Sequence, residues 1–101
     1  MQVMVDLCVI PMGVGVSVSN YVTECQKIIR SSGLSYQMHA YGTNIEGEWD
    51  AVFAVVKRCH EVVHEAGAVR ISSTLRVGTR TDKAQSIDDK IQVVEDQLKQ
   101  G

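Results

Sequence analysis

Apolar residues recur at two different periods along this chain, and the order in which the periods alternate leaves few folds open. Residues 2–10 set Val3, Val5, Leu7 and Val9 against Met4, Asp6, Cys8 and Ile10, the period of two expected of a strand. Pro11 to Ser19 reads as a Gly-containing loop, with Ser17, Ser19 and Asn20 as competent helix N-caps. Val22, Cys25, Ile28 and Ile29 then follow at helical spacing until Ser32-Gly33, where glycine can supply a left-handed C-cap. Ser35 to Tyr41 predicts a second strand, Gly42 a turn, and Thr43 to Glu46 a short third strand. A second helix is expected from Glu48 to Ala66, with Val52, Val55, Val56, Cys59, Val62, Val63 and Ala66 on one face. Ala68 to Val77 predicts a last strand, with Arg70, Ser72, Thr74 and Arg76 opposite its apolar side. Ser86 with Asp89 forms a capping-box variant opening a final helix whose apolar seam is Ile87, Ile91, Val94 and Leu98.

The resulting order, β-α-β-β-α-β plus a terminal helix, predicts an α+β, ferredoxin-like split βαβ sandwich: a four-stranded antiparallel sheet with helices on one face. A chain of 101 residues can hold one such core and not two, so residues 1–101 are read as a single domain. In this topology the first two strands run parallel, so the Gly13–Ser19 loop and the Gly42 turn leave the sheet at the same end. The uncovered sheet face would carry Met4, Cys8 and Ile10, apolar enough to predict a homo-oligomer with sheet-to-sheet contact.

Composition narrows the partners. A formal net charge of -2 argues against a protein that lives on nucleic-acid backbones. No stretch approaches the roughly 20 apolar residues of a membrane helix, and a cytoplasmic location is expected. Cys8, Cys25 and Cys59 lack CxxC spacing and read as small buried hydrophobes.

Four segments could carry chemistry. His60-Glu61-Val62-Val63-His64 matches the HExxH zinc pattern. The apolar stripe of its helix turns His64 and Glu61 to solvent, however, and no third ligand is evident, so no metal site is expected. Gly13-Val-Gly15 lacks the third glycine of a dinucleotide loop, and no GK[ST] follows. Arg70, Arg76, Arg80 and Lys83 make a basic cluster without the exposed aromatic platform of RNA-binding modules, and pairing with acids of another subunit is the expected use. The segment from Tyr41 to Trp49 brings together two aromatics, Thr43, Asn44, Glu46 and two glycines. A carboxylate beside aromatic faces suits a flat amino-bearing heterocycle. A plain hairpin with Trp49 anchoring the helix start fits the same spacing equally well.

Taken together, the chain resembles the small thiamine-binding-protein family. The resemblance rests on Val9-Ile-Pro11-Met-Gly13, Ser17-Val-Ser19-Asn-Tyr21, Ser32-Gly33-Leu34-Ser-Tyr36, Gly42-Thr43-Asn-Ile45-Glu46-Gly47-Glu-Trp49-Asp50, His60-Glu61, Gly67-Ala-Val-Arg70 and Arg80-Thr-Asp82-Lys83. These segments span nearly the whole chain, and the one around Glu46 is the most specific. The resemblance implies a ferredoxin-like fold, homotetramers built as dimers of dimers, and binding of thiamine or its pyrimidine moiety. By position it carries the pocket to Thr43, Ile45 and Glu46, with Ser17 from the facing loop. Members often have Pro-Met before the Gly-Thr pair, where this chain has Ala40-Tyr41. The expected ligand set is therefore Ser17, Tyr41, Thr43, Asn44, Ile45, Glu46 and Trp49, with Val52 as apolar wall. Neither a catalytic residue nor a cofactor is expected.

Overall fold

The computed structural model describes residues 1–84 and 86–100. Strand β1 (Gln2–Met12) leads into helix α1 (Ser19–Ser31), strands β2 (Ser35–His39) and β3 (Gly42–Glu48), helix α2 (Trp49–Glu65), strand β4 (Arg70–Thr79) and helix α3 (Ile87–Gln100). The sheet order is β2-β3-β1-β4, every neighbouring pair antiparallel. This is the expected split βαβ arrangement.

Alternation along β1 decides the layers. Val3, Val5 and Leu7 point towards α1 and α2 and are almost fully buried, joined by Ile45, Cys25, Ile29, Val52, Cys59 and Val63 in one apolar core. Burying each such side chain is worth roughly 1.5–3 kcal/mol relative to leaving it in water. Cys25 and Cys59 face each other where α1 and α2 cross, each sulfur within 4.0 Å of the other's carbonyl oxygen. The neighbouring Cys25 thiol and burial push the Cys59 thiol upward, so it packs as a neutral group.

Three local details differ from expectation. Pro11 lies inside β1, because the strand beyond Leu7 pairs only with β4 and has become an edge. None of Ser17, Ser19 and Asn20 caps α1: Val18 stands at the N-cap without a side-chain hydrogen bond, while the Thr23 hydroxyl bonds back to the Ser19 carbonyl. Strand β3 runs on to Glu48, so α2 starts at Trp49. Gly33 and Gly67 do close their helices with positive φ, 76° and 115°.

The α3 helix stands apart. Its capping box forms as predicted, Ser86 N–H donating to Asp89 Oδ2 and Asp89 N–H to Ser86 Oγ, both at 3.0 Å. Of its apolar seam only Ile87 is buried; Ile91, Val94 and Leu98 are 42%, 55% and 70% exposed. Contact with the rest of the chain is sparse, and the molecule is correspondingly elongated, 48 × 31 × 21 Å.

Candidate functional site

The alternation of β3 separates the residues that its sequence brings together. Thr43 and Ile45 project into the helix-covered face, where Thr43 is 3% exposed and accepts a 2.7 Å hydrogen bond from Gln26 Nε2. Asn44 and Glu46 project from the opposite, open face, beside Asp6 and Met4 of β1. Trp49 opens α2: its N–H donates to the Met1 carbonyl at 2.9 Å and its ring packs on Phe53 with centroids 4.6 Å apart. Tyr41 is exposed at the tip of the β2–β3 turn, and Ser17 is exposed in the loop after β1. That loop does leave the sheet at the same end as the Gly42 turn. However, Thr43 pairs with Leu7, so β1 overshoots the turn by the length of Cys8–Met12, about 17 Å of extended chain. The seven expected ligand residues therefore fall apart: Thr43 and Ile45 in the core, Asn44 and Glu46 on the open face, Ser17 and Tyr41 in two exposed connections, and Trp49 at the start of α2.

The two glycines of the segment serve the protein itself. A methyl group at Gly42 would run into the Leu7 carbonyl and crowd the His39 ring, and one at Gly47 would lie 2.9 Å from the Leu34 side chain. The bare Gly42 lets His39 of β2 reach over β3 to β1, where its Nε2 lies 2.6 Å from Asp6 Oδ1. The Tyr41 N–H donates to His39 Nδ1 at 3.3 Å, so Nε2 carries the proton shared with Asp6.

On the open face lies a trough of about 1410 Å³, floored by β1, β3 and β4 and walled by Arg80, Thr81, Lys83, Ala84, Ser86 and the first turn of α3. Glu46 stands on its edge, and its Oε2 accepts a 2.9 Å hydrogen bond from the Ile87 N–H. A carboxylate there offsets the positive end of the helix and holds the start of α3 against the sheet. The remaining oxygen of Glu46 has no hydrogen-bond partner among the described residues. Asn44 lies further along the same face, and Met4 and Gly78 form the floor beside Glu46. Arg76, Arg80, Lys83 and Lys90 supply basic groups to the other wall. Met4, Lys90 and the α3 start lay outside the sequence-based set. Arg76 and Lys83 were visible as a basic cluster, but only the register of β4 against β1 brings Arg76 to the trough.

The zinc-like pattern is used structurally. His60 Nε2 hydrogen-bonds Ser73 Oγ at 2.6 Å, and His64 Nδ1 donates to the Ala68 carbonyl at 2.8 Å. The two rings are 6.4 Å apart. Among the described residues no group of three His, Cys, Asp or Glu side chains comes together as a metal site. No helix among them is long and apolar enough to cross a membrane.

A family model described as thiamine-binding protein matches residues 5–95. The chain belongs to this family. A UPF0045 protein of Synechocystis is 62% identical over 94% of this chain and 78% of its own length. A UPF0045 protein of Eremothecium gossypii is 48% identical over 97% of this chain and 94% of its own. Among solved structures, a hypothetical protein of Methanocaldococcus jannaschii superposes with a TM-score of 0.86 at 30% identity, covering 93% of this chain and 96% of that one. A Thermotoga maritima protein, named as a candidate in thiamine biosynthesis or salvage, gives 0.81 at 20% identity over 93% and 99%, a likeness of fold. The relatives by sequence thus include a bacterial and a fungal protein, and the superposed structures an archaeal and a bacterial one.

Proposed function

We propose that this chain binds thiamine or a related aminopyrimidine in the trough on its open sheet face, as a carrier, buffer or sensor rather than as a catalyst. Family membership supports the ligand class. The observation that carries the site is Glu46, a carboxylate on the trough edge with one oxygen fixed by α3 and the other turned to no protein donor among the described residues. That oxygen would accept from the exocyclic amine of the heterocycle, a charge-assisted bond of the stronger kind. Asn44 would complete the polar edge, and the Met4 thioether would lie under the ring. Thr43 and Ile45 would act from behind, fixing β3 on the core, whereas Ser17, Tyr41 and Trp49 would contribute only through another subunit. On this reading the protein works in the cytoplasm with a small molecule as partner, and neither nucleic acid nor a membrane is needed.

Isothermal calorimetry with thiamine and with hydroxymethylpyrimidine tests the proposal. Saturable heat, with a rise in melting temperature, is expected. Absence of both at millimolar ligand would sink it. Glu46→Gln keeps an acceptor for the Ile87 N–H while removing the charge, so it should weaken binding and leave α3 in place.

A second reading, a homo-oligomer whose assembly is its role, is favoured by one observation: the exposed Ile91, Val94 and Leu98 stripe of α3. A homotetramer of two dimers would cover it. If assembly is the whole role and Glu46 serves an interface, Glu46→Gln should dissociate the protein on a sizing column. A ligand-binding Glu46 predicts an unchanged elution volume.

A further inference from the structure

The acids and the bases that line the trough are in different states. Each of three acids is already engaged: Asp6 by His39 at 2.6 Å, Glu46 by the Ile87 N–H at 2.9 Å, and Asp89 by the Ser86 N–H at 3.0 Å. The bases are less committed. Arg80 is held by Asp82, at 2.6 Å and 2.9 Å. Arg76 and Lys90, by contrast, have no side-chain hydrogen bond or ion pair among the described residues, and Lys83 acts on Asp82 and Asp89 only at longer range. Arg76 is the informative case. Its cross-strand neighbour on the open face is Asp6, the natural partner for a guanidinium, and His39 has taken that carboxylate by reaching across Gly42. The fold leaves an arginine facing the trough without a side-chain partner among the described residues, its cross-strand carboxylate being turned to His39 instead.

The register sets where this positive charge lies relative to Glu46. Met4 pairs with both Glu46 and Gly78, so those two residues stand level on β3 and β4, two strand spacings or roughly 10 Å apart. Arg76 lies two residues further along β4, about 7 Å, so the Cα atoms of Glu46 and Arg76 are separated by about 12 Å across the floor. The floor is low on the β4 side, where Gly78 has no side chain and a Cβ would find only the Met4 carbonyl, at 3.8 Å. At the α3 N-terminus the Ile87 and Asp89 amides are already taken, by Glu46 and by Ser86 Oγ.

We infer that the trough is built for a ligand carrying an anion at the end opposite its amino heterocycle, and that the chain therefore prefers a phosphate ester of thiamine to thiamine itself. This rests on the trough being the thiamine site. The heterocycle lies at Glu46 and Asn44, the flat ligand crosses over Met4 and Gly78, and the phosphate meets Arg76 and Lys83, with Lys90 adding to the field. An arginine free to make a two-point contact is the side chain best suited to phosphate oxygens.

Calorimetry on the full chain, with thiamine and thiamine monophosphate side by side at low ionic strength, tests the inference. The monophosphate should bind about tenfold more tightly, and its advantage should shrink as salt is raised beyond physiological strength. In the double variant Arg76→Gln/Lys83→Gln the two ligands should bind alike, the monophosphate having lost its advantage. Both residues are exposed, and circular dichroism verifies that the variant folds. If thiamine binds and the monophosphate binds no better, the trough remains the ligand site and the phosphate preference is wrong. A preference that survives in the double variant also overturns it. If neither ligand binds, the thiamine reading falls and this inference falls with it.

Discussion

Removing the Glu46 side chain should loosen one helix and spare the rest of the molecule. In Glu46→Ala the Ile87 N–H loses its acceptor at 2.9 Å, while the Ser86–Asp89 box at the same helix end remains. Loss of a single capping acceptor costs about 1 kcal/mol. A helix of 14 residues with so little tertiary packing is close to the length at which isolated helices are marginal in water. A change of about 1 kcal/mol in its local opening equilibrium is roughly a fivefold change in the open population. Hydrogen exchange followed by mass spectrometry should show amides in the first half of α3 exchanging about fivefold faster than in wild type. Amides of Val3, Val5 and Leu7 in β1 should keep their rates, and the melting temperature should move little. Glu46→Gln, which retains an oxygen acceptor, should restore most of the protection. Unchanged α3 exchange in the alanine variant would refute the capping role. An equal acceleration in α3 and β1 would show instead that Glu46 supports the global fold.

Other consequences are as direct. Gly42→Ala forces a methyl group against the Leu7 carbonyl and should destabilise the protein by about 1–3 kcal/mol, read as a lower urea midpoint with an unchanged slope. Cys59→Ser replaces a fully buried sulfur with a hydroxyl in an apolar setting, at a cost of about 1–3 kcal/mol; Cys59→Ala should be measured beside it to separate polarity from lost volume. The Arg80 guanidinium holds the Asp82 carboxyl at a pKa of about 2, below its ordinary 3.8. Because the folded value is depressed, the stabilisation is present above pH 3.8 and lost as pH falls towards 2. NMR titration of the Asp82 carboxyl should place its midpoint there, and Arg80→Gln should return it to the ordinary range.

Most of the architecture was readable because it rests on periodicity. Val3-Val5-Leu7 and the Val52-Cys59-Val63 stripe specify which faces are buried whatever they pack against, and Ser86 with Asp89 marks the α3 start through purely local bonds. The site was less legible because it depends on pairing. Thr43, Asn44, Ile45 and Glu46 are neighbours in sequence, yet a strand's alternation sends them to opposite faces, and that much could have been seen from the period alone. No local pattern shows that Glu46 meets Ile87, 41 residues away, or that His39 takes the acid beside Arg76. Both contacts depend on how β2, β3 and β4 register against β1. Ser17, Ser19 and Asn20 were each sound candidate caps, and none was used, which shows how loosely composition fixes a helix start.

The sheet is four strands wide beside Met4 but only two wide from Cys8 to Met12, where β1 and β4 continue alone. This two-stranded extension has an open ladder on each side, with Ile10 and Met12 each more than two-fifths exposed on one surface. Such an edge invites intermolecular strand addition, and short ribbons of this kind are where sheets begin to polymerise. The chain's only proline, Pro11, stands in this stretch, opposite Ile71. A residue that cannot donate to a ladder interrupts the run of hydrogen-bonding groups that an incoming strand would need. Pro11 thus breaks the open ladder at the one end of the sheet where β1 has outrun β3.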